Sequence, residues 1–199
     1  MSTRTILALT IAAGVGIGGA ACSMDRTTKA GKGSGETYAS RRMADGKEWT
    51  TRNLSIYFDG SYCYADSDAN CRRYGRLYTW QAALRACASL GGRWRLPTDA
   101  DWRGLAKRYG GVREDALDGG KAVYSTLMSG GSSGFGALLG GDRDNGNFSR
   151  LGAHGFYWTA SETGAASALF YNFGEGGQSL NRQAEGGKQM AVSVRCVRE

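Results

Sequence analysis

Hydrophobic residues recur at helical spacing in two places in the first half of the chain. Trp80, Ala83, Leu84 and Cys87 fall at i, i+3, i+4 and i+7, which predicts a helix from Trp80 to about Ser89 with one apolar face. Thr79 stands at its start as a cap, and Gly91-Gly92 ends it. A second helix is predicted from Pro97-Thr98, because Asp101 follows Thr98 at capping-box spacing. Trp102, Leu105, Ala106 and Tyr109 make its buried face, Lys107 and Arg108 suit the negative end of its dipole, and Gly110-Gly111 stops it.

From Gly119 onward the pattern changes to short apolar runs between glycine pairs. Phe156-Tyr157-Trp158, Ala168-Leu169-Phe170-Tyr171 and Ala191 to Val197 read as short antiparallel strands. In the last run Val192, Val194 and Cys196 share one face, while Ser193 and Arg195 point the other way. Gly130-Gly131, Gly140-Gly141, Gly176-Gly177 and Gly186-Gly187 read as turns. The fold class is α+β: two helices early, short twisted antiparallel strands late, and many loops.

Composition narrows this further. A length of 199 residues suits one domain with a core and is thin for two. The 32 glycines have no triplet period and Pro97 is the single proline, which excludes collagen. An aromatic content of 11% argues against a disordered chain. His154 is the one histidine, so a multi-histidine zinc site is excluded.

Met1 to Ala21 stand apart from the domain. Arg4 precedes an apolar stretch from Ile6 to Ile17, too short to span a bilayer, and small residues lead to Cys22. The segment resembles a bacterial lipoprotein signal, which implies cleavage before Cys22, a lipid on that cysteine, and an anchor that does not span the membrane. Gly19 occupies the position where such signals usually carry an aliphatic residue, and an ordinary secretory signal cleaved near Ala21 is the alternative. Ser23 after the cysteine implies outer-membrane retention by the same resemblance. Residues 22–35 then form a polar tether, and the domain occupies 36–199.

The formal charge is +7, and loss of Arg4 with the leader leaves +6. The basic pairs Arg41-Arg42, Arg72-Arg73 and Lys107-Arg108 are scattered, so no nucleic-acid partner is expected, while acidic envelope partners are compatible with the charge.

With Cys22 lipidated, Cys63, Cys71, Cys87 and Cys196 remain, an even set that reads as two disulfides in an exported chain. Three connectivities are possible. Cys63 with Cys71 is the local choice, and Cys87 with Cys196 would then tie the first helix to the last strand.

Candidate chemistry is sparse. Asp66, Asp68 and Asn70 fit the first positions of a calcium loop, but Cys71 and Leu77 stand where glycine and a bidentate glutamate are required. Asp142, Asp144, Asn145 and Asn147 surround Gly146 and read as a hydrogen-bonded turn. His154 reads as structural or exposed, and Glu162 as a structural group able to pair with an arginine in the core. The carboxylates Glu114, Asp115 and Asp118 have no partner that the sequence identifies. No catalytic residue, metal or cofactor is therefore expected. The remaining candidate is a ligand-binding hairpin with Tyr171, Asn172, Phe173, Gln178, Asn181, Arg182 and Gln183, expected to expose its aromatics and amides.

Several runs together identify a family resemblance. Glu48-Trp49-Thr50-Thr51-Arg52-Asn53-Leu54 opens it, and Tyr62-Cys63-Tyr64 and Asn70-Cys71 precede Gly75-Arg76-Leu77-Tyr78-Thr79-Trp80-Gln81-Ala82-Ala83. Trp94-Arg95-Leu96-Pro97-Thr98-Asp99-Ala100-Asp101-Trp102, Gly155-Phe156-Tyr157-Trp158-Thr159-Ala160-Ser161-Glu162 and Ser193-Val194-Arg195-Cys196-Val197-Arg198 follow in order. From about Ala44 to Glu199 the chain resembles the Fibrobacter succinogenes major paralogous domain family, itself similar to the C-type-lectin-like fold and to formylglycine-generating enzymes. The resemblance implies a compact α+β domain, a terminal cysteine strand near the helix cysteine, in agreement with a Cys87–Cys196 pair, and Trp94, Trp102 and Trp158 as core. The family has no established common activity.

Two features of its relatives are missing. The proline-containing sugar motif of calcium-dependent lectins is absent, and only Cys196 lies where formylglycine-generating enzymes carry an active-site pair. The expectation is a non-enzymatic, lipid-anchored envelope protein whose lectin-like domain binds a protein or glycan. A disulfide-braced structural protein is the alternative, and a formylglycine-generating-type enzyme the less favoured one.

Overall fold

The structure is a computed structural model and describes residues 38–199. The expected leader, Cys22 and the tether lie outside the described residues. Along the chain, β1 (Ser40–Arg42) pairs antiparallel with β2 (Glu48–Thr50). β3 (Ser61–Tyr62) leads through a 3-10 turn at Tyr64–Asp66 into α1 (Asp68–Tyr74), and β4 (Leu77–Tyr78) pairs back on β3. Three helices follow: α2 (Trp80–Ala88), α3 (Asp99–Lys107) and α4 (Lys121–Leu127). β5 (Asp142–Asp144) and β6 (Asn147–Ser149) form a hairpin. β7 (His154–Glu162), β8 (Ser167–Gly174) and β9 (Ser179–Gly187) form an antiparallel sheet in that order, and β10 (Val197–Arg198) returns to β2.

The β7–β8–β9 sheet separates two hydrophobic cores, because successive side chains of a strand point to opposite faces. Tyr157, Tyr171 and Phe173 join the core closed by Leu105 of α3 and Leu127 of α4. Phe156, Trp158 and Ala168 join the core closed by Ala83 and Cys87 of α2. Trp102 centres the first core, its ring stacked 5.1 Å from Tyr171 and edge-on to Trp49 at 5.2 Å. Trp94 and Trp158 lie in the second.

Local signals explain some helices and not others. The capping box of α3 forms: Asp101 N donates to Thr98 Oγ1 at 3.2 Å, and Thr98 N donates to Asp101 Oδ2 at 2.7 Å. Thr79 stands at the N-cap of α2 with extended backbone but without a side-chain cap bond. The described chain has four α-helices rather than the two expected. None of the residues of α1 is buried, so it has no apolar stripe to read; it is stapled by Cys71 to Cys63 instead. α4 starts at Gly120 in the left-handed region, with Asp118 accepting from Gly120 N at 2.9 Å and Ala122 N at 2.7 Å. That carboxylate caps from outside the usual N-cap position.

Several late-chain expectations are corrected. The run Ala191 to Val197 is not one strand: Ala191, Val192 and Ser193 make isolated bridges and only Val197 and Arg198 form β10. Gly186-Gly187 lies inside β9, where an added Cβ on Gly186 would meet the Trp158 ring at 2.7 Å, so packing rather than turning explains it. Glu162 pairs with Lys188 at the exposed end of β7, not with a core arginine. Arg195 does enter the core, and it does so without a carboxylate partner among the described residues.

Both disulfides form, Cys63–Cys71 and Cys87–Cys196. Cys87 and Cys196 are fully buried, whereas Cys71 is half-buried in α1. Graded dithiothreitol with alkylation and mass spectrometry is therefore expected to label Cys63 and Cys71 first. Cys87 and Cys196 should stay protected until the domain unfolds; simultaneous labelling of all four would contradict this.

Candidate binding surface

The hairpin β8–β9 does not present the surface expected of it. Tyr171 and Phe173 are fully buried, not exposed, because they share the sheet face that packs on Trp102. Tyr171 Oη donates to Asp99 Oδ1 at 2.9 Å, and burial together with that carboxylate pushes the phenol well above its usual pKa. Arg182 completes the cluster with a two-pronged pair to Asp99, at 2.8 Å from Nε and 3.1 Å from Nη2. Asn172 Oδ1 meets His154 Nδ1 at 2.9 Å, and His154 stacks on Phe156. Asn181 Nδ2 donates to Ser179 Oγ at 3.1 Å. Gln178 is exposed in the hairpin turn at φ 45°, and Gln183 is exposed on β9. Most of these side chains brace the sheet rather than face a partner.

The acidic clusters are likewise accounted for by local structure. Asp68 opens α1 and Asn70 Nδ2 donates to the Tyr64 carbonyl at 2.9 Å. Asn145 and Gly146 lie at φ 46° and 83°, the double positive φ that a two-residue hairpin turn requires. A shallow depression of about 420 Å³ beside α3 is lined by Asp45, Lys47, Asp101, Lys107 and Arg108, but its central Lys47 and Asp101 pair with each other at 2.8 Å.

A different face carries an arginine whose side chain has no hydrogen-bond partner among the described residues. It is built from the β3–β4 hairpin, α1 and the β5–β6 hairpin. The Arg143 guanidinium of β5 lies over the Tyr62 ring at 4.0 Å and 5.6 Å from the Phe148 centroid. Tyr64 tilts against Phe148 at 5.2 Å. Arg143 has neither a carboxylate nor a hydrogen-bond partner for its side chain among the described residues; its neighbour Asp142 is engaged by Ser149 at 2.9 Å and Arg150 at 3.5 Å. The backbone of Arg143 is nonetheless fixed, exchanging hydrogen bonds with Ala191 at 2.9 and 2.8 Å.

After α1, Arg76 is locked onto the β3–β4 hairpin by Ser61, donating from Nε to Oγ and from Nη2 to the carbonyl, both at 2.9 Å. Its Nη1 lies 3.3 Å from Cys63 Sγ and its guanidinium 5.2 Å from the Tyr57 ring. Tyr57 is 69% exposed. The Arg143 face is thus an arginine among the rings of Tyr62, Phe148 and Tyr64, the last in the loop that the Cys63–Cys71 bond closes. Tyr62 and Arg143 are far apart in the sequence, and only the turn Asp144-Asn145-Gly146-Asn147 was readable there.

Two buried carboxylates give opposite pH signatures. Burial alone would raise Asp101, but hydrogen bonds from Arg95, Lys47 and Thr98 outweigh it and hold the carboxyl well below its usual range. Its contribution to stability is present above about pH 4, the unfolded value, and is lost as pH falls through the folded value. Asp142 is raised, chiefly by burial and only partly countered by Ser149 and Arg150. Ionising it costs stability at neutral pH; that cost shrinks as pH falls below the raised value and is gone below about pH 4, the unfolded value. Asp142→Asn is therefore expected to raise the melting temperature at pH 7 and to bring no gain near pH 3. Asp101→Asn should lower it at pH 7 with a shrinking effect in acid. A melting series across this range checks both signs.

The chain matches the family model described as the Fibrobacter succinogenes major domain over residues 34–198. No curated protein and no solved structure matches it.

Proposed function

The chain belongs to the Fibrobacter succinogenes major domain family, and from that premise we propose that it is a non-enzymatic envelope lipoprotein with a lectin-like domain that binds a protein or glycan. The observation that carries the binding reading is the Arg143 face: a positioned guanidinium with free donors beside half-exposed aromatic rings. Such groups give orientation and specificity in recognition sites. The non-enzymatic reading is supported by the Cys87–Cys196 bond, which leaves Cys196 no thiol for oxygen chemistry.

The lipid anchor at Cys22 and an outer-membrane location are part of the same proposal and rest on the leader sequence. Cys22→Ala is expected to shift the protein from the membrane fraction to the soluble fraction.

The binding test is a pull-down with the full chain in detergent against envelope extract and a panel of polysaccharides. A saturable partner that is lost on Arg143→Gln is the expected result. Failure to capture anything from either pool would favour the structural reading. That alternative draws support from the β8–β9 hairpin, whose polar side chains are mostly bonded internally.

A further inference from the structure

Resting on the binding reading above, we infer that the Arg143 face takes an acidic saccharide, a sugar chain carrying oxyanion groups spaced between hydroxyl-rich units. Three features of the face argue for this class. The first is Arg143 itself. Its guanidinium Cζ sits 4.0 Å over the Tyr62 centroid, and none of its N–H donors is used by the described residues. That planar fork matches a carboxylate, sulfate or phosphate in two-pronged geometry.

The second is the aromatic surface beside it. Tyr64 and Phe148 are half-exposed and tilted by 51°. Such rings offer apolar faces to the C–H face of a pyranose, while the polar tips stay wet.

The third feature separates a saccharide from an acidic polypeptide. Asp66, Asp144 and Asn147 are exposed on the same turns. Their acceptors suit the hydroxyls of a sugar chain. The two carboxylates also repel a ligand in which anionic groups are dense, so they disfavour a run of Asp or Glu. An anionic group on some sugar units, flanked by hydroxyls, meets both demands.

The face is also preorganised. The Cys63–Cys71 bond fixes the turn that carries Tyr64, Asn145 and Gly146 set the β5–β6 turn, and the Arg143–Ala191 backbone bonds anchor its root. Little ordering remains to be lost on binding.

The test is titration calorimetry of the full chain in detergent at 150 mM salt with partly methyl-esterified oligogalacturonate, in which free carboxylates are spaced by uncharged units. Phosphorylated oligomannose, neutral dextran and oligoaspartate of matched charge serve as the other probes. Expected are saturable binding of at least one of the two acidic saccharides and no binding of dextran. Oligoaspartate should bind at least tenfold more weakly. The preferred acidic saccharide shows whether carboxylate or phosphate is the oxyanion read.

Arg143→Gln should weaken that binding at least tenfold, and Arg143→Lys, which keeps the charge without the fork, should recover only part of it. Lys107→Gln on α3 removes the same charge elsewhere and should leave binding within twofold of wild type. Equal loss from Lys107→Gln would reduce the effect to net charge and overturn the inference. So would oligoaspartate binding as tightly as the sugars, or failure of both acidic saccharides to bind. If an envelope partner is still captured through Arg143 in those cases, the binding reading stands and only the saccharide class falls. Unchanged melting temperatures of the variants exclude unfolding as the cause.

Discussion

Replacing Arg195 by Met is expected to destabilise the domain by about 3–5 kcal/mol and to lower its melting temperature by on the order of 10 °C. Arg195 is fully buried, and burial pulls its pKa below the ordinary arginine value, yet a guanidinium remains charged in a protein. No carboxylate neutralises it among the described residues. It donates instead to four oxygens: Asn53 Oδ1 at 2.7 Å, Thr50 O at 2.9 Å, Phe135 O at 2.6 Å and Gly136 O at 2.5 Å. The Phe135 ring adds a π face 4.5 Å from Cζ. One side chain thus satisfies acceptors on two separate segments, Thr50 to Asn53 and Phe135 to Gly136. Met fills much of the volume but leaves those acceptors unpaired in the core. Lysine keeps the charge but concentrates its donors on one nitrogen, so Arg195→Lys should lose less than Met and more than a surface change. Urea denaturation at constant m-value measures all three. A Met variant as stable as wild type would mean that water replaces the guanidinium at these carbonyls.

Arg195 also marks where sequence patterning ran out. Alternation placed Val192, Val194 and Cys196 on one face and Ser193 and Arg195 on the other, and both faces prove buried. Alternation distinguishes inside from outside only when one face meets water. The same ambiguity governs Tyr171-Asn172-Phe173. The period of two separates Asn172 from its aromatic neighbours, yet the amides suggested exposure for all three. Tyr171 and Phe173 instead turn to Trp102, while Asn172 stays half-exposed against His154. By contrast α3 was legible because its start, stripe and stop all lie within one short stretch. α1 and the Arg143 face were not. The first is held by a disulfide without burial, and the second joins Tyr62 to Arg143 through tertiary pairing alone. The short-range cysteine pair and the long-range one were among three possible connectivities, and proximity in the fold decides between them.

Removing the long-range bridge should have the other large effect. The Cys87→Ala/Cys196→Ala double variant is expected to lose about 5 kcal/mol, against about 2.5 kcal/mol for Cys63→Ala/Cys71→Ala. The difference follows from loop length, since the bonded cysteines are 109 and 8 residues apart. Closing the longer loop removes more freedom from the unfolded chain. Native packing acts in the same direction. Cys87 and Cys196 lie fully buried in the second core beside Trp80 and Val194, so truncation there also leaves a small cavity. The local bridge belongs to neither core, with Cys63 buried and Cys71 half-buried on α1, and its loss should loosen that helix with little effect on either core. Hydrogen exchange separates the two outcomes. Loss of the local bridge should expose amides of α1 alone, whereas loss of the long bridge should lower protection across α2 and the β7–β8–β9 sheet together. Equal losses of stability would show that strain or residual unfolded structure, rather than loop length, sets what each bond contributes. A small loss for the long bridge would show that packing of the last segment between the two cores already holds the chain end without it.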